Sequence, residues 1–297
     1  MTFELKSYLD TRRALVDAAL DKALPTEDTP PTNLHRAMRY SVLAPGKRLR
    51  PILVIAGAEA VGGAAPAVMQ TACALELIHA YSLIHDDLPA MDDDDYRRGR
   101  LTNHKVFGEA MAILAGDALL TLAFRLVADN AARMADPRLI GRVVADVADA
   151  AGTDGMVGGQ VVDIESEGKD VTAETLEYIH RHKTAALIRV SLCAGATLAG
   201  ARPEQLAAVR AAGESLGLAF QIVDDILDVE GSLAELGKSA GSDERKKKAT
   251  YPALHGLDVS KQKARDLIAE SKRLLDPLGQ AATPIRALAD FVLERRS

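Results

Sequence analysis

The sequence contains no tryptophan, only 4% aromatic residues and only two cysteines among its 297 residues. So few cysteines exclude a disulfide-rich secreted scaffold. Cys73 and Cys193 each lie within an apolar run, so we expect both to be buried, reduced thiols. The net charge of −6 argues against the basic surface that nucleic-acid-binding proteins use, and no nucleic-acid partner is expected.

Segments that would direct the chain to a membrane are not expected. The first residues do not combine a basic region with a following apolar region, as a secretion signal would. The long apolar run 66–84 contains Glu76 and His79, which we expect to make it too polar to span a bilayer. These features predict a cytoplasmic protein without stable membrane insertion.

Helix-forming residues dominate what the sequence does contain. Alanine and leucine are abundant, 48% of the residues are hydrophobic, and no strand-like alternation, internal repeat or interdomain linker is found. We therefore predict an all-α fold, a single large helical bundle formed by residues 1–297. Predicted helices cover residues 3–24, 34–43, 66–84, 106–128, 137–151, 185–199, 204–229, 251–257, 260–275 and 283–295, with further helices starting near 51 and 172.

Two clusters of aspartates each follow an apolar helical run. They comprise Asp86, Asp87 and Asp92 to Asp95 in the first, and Asp224, Asp225 and Asp228 in the second. Anions are unfavourable at the C-terminal end of a helix, unless a divalent cation bridges their oxygens. Mg²⁺ takes oxygen ligands, typically one or two carboxylates together with substrate phosphates. The pattern therefore indicates a diphosphate held between the two clusters through metal.

A solvated acidic surface is the alternative interpretation of each cluster. Both clusters interrupt apolar helices rather than polar segments, and both have cations nearby: Arg97 and Arg98 after the first, Lys238 after the second. A calcium loop is not supported, because the spacing of its acidic ligands is absent. We therefore favour the metal-bridged interpretation.

A second candidate anion site lies at the basic turn after Gly46. Lys47, Arg48 and Arg50 precede Pro51, which is expected near the start of a helix, where backbone N–H groups favour anions. A solvated basic turn is the alternative. The polar, glycine-containing segment 230–248 follows the second acidic cluster and is expected to form a mobile loop that could close over it.

The stretch Asp86-Asp-Leu-Pro-Ala-Met-Asp92 with Arg97-Arg98, and the stretch Asp224-Asp-Ile-Leu-Asp228, resemble the two aspartate-rich motifs of the trans-polyprenyl diphosphate synthases. The likeness is strongest to the bacterial farnesyl-forming branch and extends over residues 46–252, nearly the whole chain. It implies a helical bundle around a deep central cavity and a homodimer. It also implies several Mg²⁺ ions, for which Mn²⁺ can substitute, and isopentenyl and allylic diphosphates as substrates.

The resemblance also assigns roles to individual residues. The implied metal ligands are Asp86, Asp87, Asp92, Asp224, Asp225 and Asp228. The implied ligands of isopentenyl diphosphate are Lys47, Arg50, His79 and Arg98. The implied contacts to the allylic substrate or its leaving diphosphate are Arg97, Lys183, Thr184, Gln221, Lys238 and Lys248. Asp86, Asp92, Arg97, Lys183, Thr184, Gln221, Asp224 and Lys238 would be catalytic, whereas Gln160 and Asp163 are expected to line the cavity.

Two of these positions carry alternatives. A lone histidine such as His79 in an apolar helix is also typical of a hydrogen-bonded core residue. Pro45 stands where the family usually has glycine before Lys47, which bears on how freely that turn moves.

Product length is expected to depend on Tyr81, which precedes Asp86 by about 7.5 Å along a helix. A growing tail that runs along this helix would meet the Tyr81 ring after a few isoprene units, whereas the neighbouring Ser82 is too small to block it. An ordinary core role for Tyr81 is the alternative. The resemblance favours farnesyl diphosphate as the product, with geranylgeranyl diphosphate next.

Two other functions fit an all-α protein of this kind. A terpene cyclase would need no second diphosphate site and would want more aromatic residues than the 5 Phe and 6 Tyr present. A non-catalytic regulatory subunit would be expected to lose carboxylates, yet both acidic motifs are intact. We therefore predict a chain-elongating prenyltransferase.

Overall fold

The computed structural model describes residues 3–133, 136–230 and 250–295. Of these residues 78% are helical and almost none lie in strands, which confirms the predicted all-α fold. The first helices are α1 (Leu5–Ala23), α2 (Thr32–Val42), α3 (Leu49–Glu59), α4 (Ala65–Asp86), α5 (Asn103–Phe107), α6 (Glu109–Asp129) and α7 (Leu139–Ala151). They are followed by α8 (Met156–Ser166), α9 (Ala173–Ile179), α10 (Ala186–Leu198), α11 (Pro203–Glu230), α12 (Tyr251–His255), α13 (Leu257–Leu274) and α14 (Thr283–Glu294). Two 3₁₀ segments, Asn130–Arg133 and Asp276–Ala282, and one π-helical segment, His180–Ala185, complete the described helices.

The core is built around α4 and α10. Every residue of α10 except Arg189 is buried, as expected for a helix that is apolar on all sides. Helix α10 packs against α3, α11 and α7, while α4 packs against α6 and α3. Helices α4 and α11, which carry the two aspartate clusters near their C-terminal ends, thus both pack against α10.

Several predicted boundaries differ from the structure for local reasons. Between the predicted helices 66–84 and 106–128, where no regular structure is predicted, the chain forms an antiparallel hairpin of β1 (Tyr96–Arg97) and β2 (Arg100–Leu101), and then α5 begins. Gly108, with φ of 85°, separates α5 from α6, so α6 begins at Glu109 rather than at 106. Helix α3 begins at Leu49, which places Pro51 at its third position rather than its first.

Among the described residues, three helices are long and apolar enough to cross a membrane by length and composition: Ala65–Asp86, Glu109–Ala132 and Pro203–Glu230. The expectation that Glu76 and His79 make the first of these runs too polar was therefore wrong. Its most apolar window is 61% buried within the protein, whereas that of Glu109–Ala132 is only 39% buried. The apolar surface of α4 is thus used for internal packing, while much of α6 faces outward.

Both cysteines are buried and free, as expected. Burial raises the pKa of the Cys73 thiol to about 12 and that of Cys193 to about 11. These thiols are therefore protonated at neutral pH and behave as small apolar core residues.

Candidate active site

The first acidic motif forms a tight turn at the end of α4. After Asp86 the chain folds back, and the backbone N–H of Asp92 donates to the carbonyl oxygen of Asp86 at 2.7 Å. Burial raises the pKa of Asp86 to about 6, the nearby Lys183 opposes this shift, and the charge of Asp92 adds to it. The turn therefore brings the Asp86 and Asp92 carboxylates together, and they face a cation from a distant part of the chain.

Asp87 is held differently from its neighbour. Its side chain is buried, and Arg97 Nε donates to Asp87 Oδ1 at 2.6 Å. Burial raises the pKa of Asp87, although the Arg97 guanidinium opposes the shift. Arg97 also lies 3.8 Å from Asp94. The hairpin that carries Arg97 is thus tied to the carboxylates that precede it.

Lys183 and Thr184 lie in the wide π-helical turn formed by His180–Ala185, between α9 and α10. Such π-helical turns occur frequently at functional sites. Lys183 Nζ donates to Asp163 on α8 at 2.6 Å. A Cβ atom at Gly159 would collide with the backbone of Lys183, so this glycine allows α8 to pack directly on the turn. Asp163 and Gly159 therefore set the position of Lys183.

The second acidic motif occupies the last turns of α11. Asp224 accepts from Arg295 at 2.9 Å, and its side chain is 43% exposed. Asp225 is buried and accepts hydrogen bonds from Gln221 and from the backbone N–H of Tyr251, and His180 Nε2 lies 3.2 Å from its Oδ2. Asp228 is half-buried one turn further along. The three aspartates thus have different environments despite their close spacing.

A cation cluster formed by Lys47, Arg50 and Arg98 lies around His79 of α4. Burial lowers the pKa of His79 well below its ordinary value, and Arg50 and Arg98 lower it further. Burial is also the main cause that lowers the pKa of Lys47, Arg50 and Arg98. Neighbouring positive charges lower these pKa values further: Arg98 acts on Lys47 and Arg50, and Arg97 acts on Arg98. In addition, the buried Nε of Arg50 has no hydrogen-bond partner within the described part of the chain. Positive charge concentrated in this way favours the binding of an anion.

The turn before α3 packs closely against the Arg98 side chain. Arg98 Nη1 donates to the carbonyl oxygen of Pro45 at 3.1 Å. A Cβ atom at Gly46 would lie 2.6 Å from the same Nη1 atom, so a larger residue here would displace the Arg98 guanidinium. Arg48 does not join the anion site, because its guanidinium is buried against Glu76 at 2.8 Å and Asp17 at 2.7 Å. Beside these groups lies a cavity of about 280 Å³ whose lining includes His79 and Arg98.

Most of the predicted site residues are thus brought together. Asp224 influences the pKa of both Lys47 and Arg50, which links the second acidic motif to the cation cluster. Thr184 Oγ1 donates to Gln221 Oε1 at 2.6 Å, which links the wide turn to α11. Lys238, Lys248 and the predicted mobile loop 230–248, beyond its first residue, lie outside the described residues.

Two residues of the site were not predicted from the sequence. Arg295 follows α14 at the far end of the chain, and its guanidinium reaches Asp224 and also lies 3.8 Å from the centre of the Phe220 ring. Its charge acts on Lys47. His180 is buried against Asp225. The available signals were a basic C-terminal pair and the histidine in His180-Arg-His-Lys, but neither indicates which distant carboxylate is the partner.

The oxygen donors of the two acidic motifs suit magnesium. In the described ranges no group of three or more His, Cys, Asp or Glu side chains is arranged to hold a metal ion by itself. Mg²⁺ often uses only one or two carboxylates and completes its coordination with water and substrate phosphates. Asp86 with Asp92 on one side, and Asp224 on the other, provide oxygen donors of this kind. The residues present therefore fit Mg²⁺ that is bound together with a diphosphate.

The fold and the site together define an all-helical prenyltransferase of the isoprenoid synthase type. The chain belongs to the polyprenyl synthetase family, whose model matches residues 31–278.

A dimethylallyltranstransferase of Fischerella ambigua (strain UTEX 1903) is 48% identical to the chain over 295 residues, which cover 99% of this chain and 84% of the relative. A geranylgeranyl diphosphate synthase of Cyanophora paradoxa is 46% identical over 297 residues, covering 99% and 98% of the two chains. The crystal structure of a putative farnesyl-diphosphate synthase from Marinomonas sp. MED121 superimposes with a TM-score of 0.84 at 40% identity, covering 98% and 100% of the two chains.

Proposed function

We propose that this protein is a Mg²⁺-dependent synthase that condenses isopentenyl diphosphate with dimethylallyl diphosphate and then with geranyl diphosphate, giving farnesyl diphosphate. The observation that carries the proposal is the pairing of two separate features. One is the set of carboxylates on α4 and α11, which is suited to an allylic diphosphate bound through metal. The other is the cation cluster, which is suited to a second diphosphate without metal.

The carboxylates would hold the allylic diphosphate at the start of the reaction. Asp86 and Asp92 bind from the end of α4, and Asp224 binds from α11. Mg²⁺ supplies Lewis-acid stabilisation of the negative charge that grows on the departing diphosphate, and Mn²⁺ is expected to substitute. Arg97 and Lys183 add charge-assisted hydrogen bonds to the same leaving group. Lys238 and Lys248 are proposed to contribute from the segment after α11, on the resemblance alone.

The second substrate would lie on the cation cluster. Lys47, Arg50, His79 and Arg98 are proposed to hold the diphosphate of isopentenyl diphosphate, with its double bond facing the allylic carbon. The allylic carbon–oxygen bond breaks first, giving an allylic cation and diphosphate. The double bond of isopentenyl diphosphate then forms the new carbon–carbon bond to this cation, and loss of a proton to the departed diphosphate restores a double bond. The apolar walls formed by α4 and α10 exclude water, which would otherwise capture the cation.

Tyr81 supports a short product. Its side chain is only 6% exposed, and its ring lies edge-on to His85, with the two ring centres 5.7 Å apart. Burial and the charge of Asp86 raise the Tyr81 pKa to about 12, so the Tyr81 side chain lies close enough to the first motif to interact with its charge. A chain-elongating enzyme that makes geranylgeranyl diphosphate is the second candidate, because the Cyanophora relative at 46% identity is named as one.

Product analysis tests the proposal directly. Purified protein is incubated with Mg²⁺, dimethylallyl diphosphate and excess isopentenyl diphosphate, and the dephosphorylated products are separated by chromatography. Farnesol is the expected main product. A main product of geranylgeraniol would favour the second candidate, and cyclic products would indicate a terpene cyclase.

Replacing Lys47 is expected to affect the two substrates unequally. Lys47→Ala should raise the KM for isopentenyl diphosphate about 10- to 100-fold, because a hydrogen bond to a charged group contributes about 1.5–3 kcal/mol. The KM for geranyl diphosphate should change about threefold or less. Lys22→Ala, an exposed lysine on α1, is the control and should leave both values unchanged. Equal losses for both substrates would contradict the two-site assignment.

We further propose a homodimer that uses the outward face of α6. Ile113 and Leu114 on this face are 44% and 53% exposed, and a groove of about 670 Å³ that includes Leu34 and Met111 lies beside them. Large exposed apolar patches are typical of protein–protein interfaces. We also propose that residues 1–297 form a single domain and that the protein is cytoplasmic.

Light scattering at micromolar concentration should give the mass of a dimer. Leu114→Glu should shift the protein to monomers, because it places a charge within the apolar face. Val259→Glu, which changes a valine on α13 that is 56% exposed, should leave the dimer intact. A monomeric wild-type protein would refute this part of the proposal.

A further inference from the structure

The carboxylate of Asp225 is already engaged on both oxygens. The backbone N–H of Tyr251 donates to Asp225 Oδ2 at 2.7 Å, and His180 Nε2 lies 3.2 Å from the same oxygen. Gln221 Nε2 donates to Asp225 Oδ1 at 2.9 Å. These donors come from α12, the wide turn and α11. Asp225 therefore joins three elements at one point, and its side chain is only 5% exposed.

Its neighbour Asp224 differs in each of these respects. The Asp224 side chain is 43% exposed and pairs with Arg295, a partner that a metal ion could displace. Three of the about four lone-pair sites on the Asp225 oxygens face its partners, so a metal ion would have to reach the remaining site on Oδ1 of a buried side chain. Two adjacent aspartates of one motif thus have separate tasks.

A directed chain of hydrogen bonds runs from Asp225 to Thr184. An ionised carboxylate only accepts, so Gln221 must turn its NH₂ group towards Asp225. The Gln221 carbonyl oxygen then faces Thr184, whose Oγ1 lies 2.6 Å away and must donate its proton. The lone pairs of the Thr184 oxygen then face away from Gln221 and are available to another group. The charge on Asp225 therefore fixes the direction of every hydrogen bond in the chain.

We propose that Asp225 is a positioning residue and not a metal ligand: held by His180 and the Tyr251 backbone, it orients Gln221 so that Thr184 presents oxygen lone pairs to the allylic cation. This inference rests on the proposed function. It replaces the metal-binding role that the resemblance implies for Asp225. It also gives a task to His180, a buried residue that otherwise has none in the reaction.

Asp225→Asn tests the direction of the chain. The N–H of Tyr251 still requires an acceptor, so the new amide turns its oxygen to Tyr251 and its NH₂ group to Gln221. Gln221 must then flip and donate to Thr184, whose own proton now points towards the cation. We expect kcat to fall about 100-fold, with binding of Mg²⁺ and inorganic pyrophosphate, measured by calorimetry, within about threefold of wild type. Asp224→Asn, the matched change one residue earlier, should weaken that binding at least tenfold.

A double-mutant cycle separates positioning from a structural role. Thr184→Val removes the hydroxyl through which Asp225 acts, so adding Asp225→Asn to it should lower kcat by less than about threefold further. His180→Phe keeps a ring of similar size but removes one donor, and should lower kcat about threefold to tenfold with pyrophosphate binding unchanged. This variant carries the test if Asp225→Asn does not fold.

Three results would overturn the inference. They are equal losses of Mg²⁺–pyrophosphate binding in Asp224→Asn and Asp225→Asn, full additivity with Thr184→Val, and an unchanged kcat in His180→Phe. Failure of the proposed function would look different: wild-type protein would release no diphosphate from its substrates. The binding comparison would still decide whether Asp225 holds metal.

Discussion

Asp86→Ala and Asp224→Ala should each lower the rate of diphosphate release at least about 1,000-fold while the protein remains folded. The loss is large because these carboxylates are proposed to hold the metal that stabilises the leaving group, and preorganised electrostatic stabilisation is a major part of catalysis. The folded state should survive because neither carboxylate is a packing group of the apolar core. Steady-state kinetics and circular dichroism on the same preparations measure both effects.

Asp86→Asn should increase the stability of the metal-free protein. The folded state raises the pKa of Asp86 from 3.8 to about 6, so it holds this proton more tightly than the unfolded chain does. Ionised Asp86 therefore destabilises the fold, with no penalty below about pH 4 and the full penalty above about pH 6. The variant should gain about 1–3 kcal/mol at pH 7, because one pKa unit corresponds to about 1.4 kcal/mol.

Urea unfolding in EDTA at pH 7 and pH 4 tests this sign. The advantage of Asp86→Asn over wild type should disappear at the lower pH. An Asp86→Ala or Asp224→Ala protein that is inactive because it has unfolded would contradict the account, since it would make the carboxylate a structural group.

Tyr81→Ala should lengthen the product distribution by at least one isoprene unit. The substitution removes the ring that is proposed to form the floor of the tail cavity, and it leaves the carboxylates of the first motif in place. Truncation of a buried aromatic residue costs about 3–5 kcal/mol, so a lower melting temperature is also expected. Chromatography of the dephosphorylated products at a temperature where the variant is folded gives the chain lengths.

Tyr81→Phe is the matched control for this prediction. It keeps the ring and removes only the hydroxyl, so its product distribution should equal that of wild type. An active Tyr81→Ala enzyme whose products are no longer than those of wild type would show that Tyr81 is an ordinary core residue.

The fold was largely predictable because its signals are local. Apolar periodicity, Pro66 near the start of α4 and Thr172 at the cap of α9 each act within a few residues of the chain. Errors arose where a single backbone conformation decides a boundary, as at Gly108. The hairpin at 96–101 was missed because two residues per strand are too few to show alternation.

The site was predictable only where its chemistry is concentrated in short motifs. The short spacing between Asp86 and Asp92, and the cations around Lys47, are visible in the sequence and predict a diphosphate site. The partners of Asp225 could not be predicted in this way, because His180 and Tyr251 are 45 and 26 residues away and are brought to it by tertiary packing. Arg295 reaches Asp224 across 71 positions for the same reason. No local propensity encodes such pairings.

The dependence of diphosphate release on isopentenyl diphosphate tests the central claim most directly. Wild-type protein with Mg²⁺ and geranyl diphosphate should release diphosphate rapidly only when isopentenyl diphosphate is added, with one diphosphate released for each isopentenyl diphosphate consumed. Fast release without it would indicate an enzyme that ionises a single substrate, as a cyclase does. No release under either condition would contradict a catalytic role altogether.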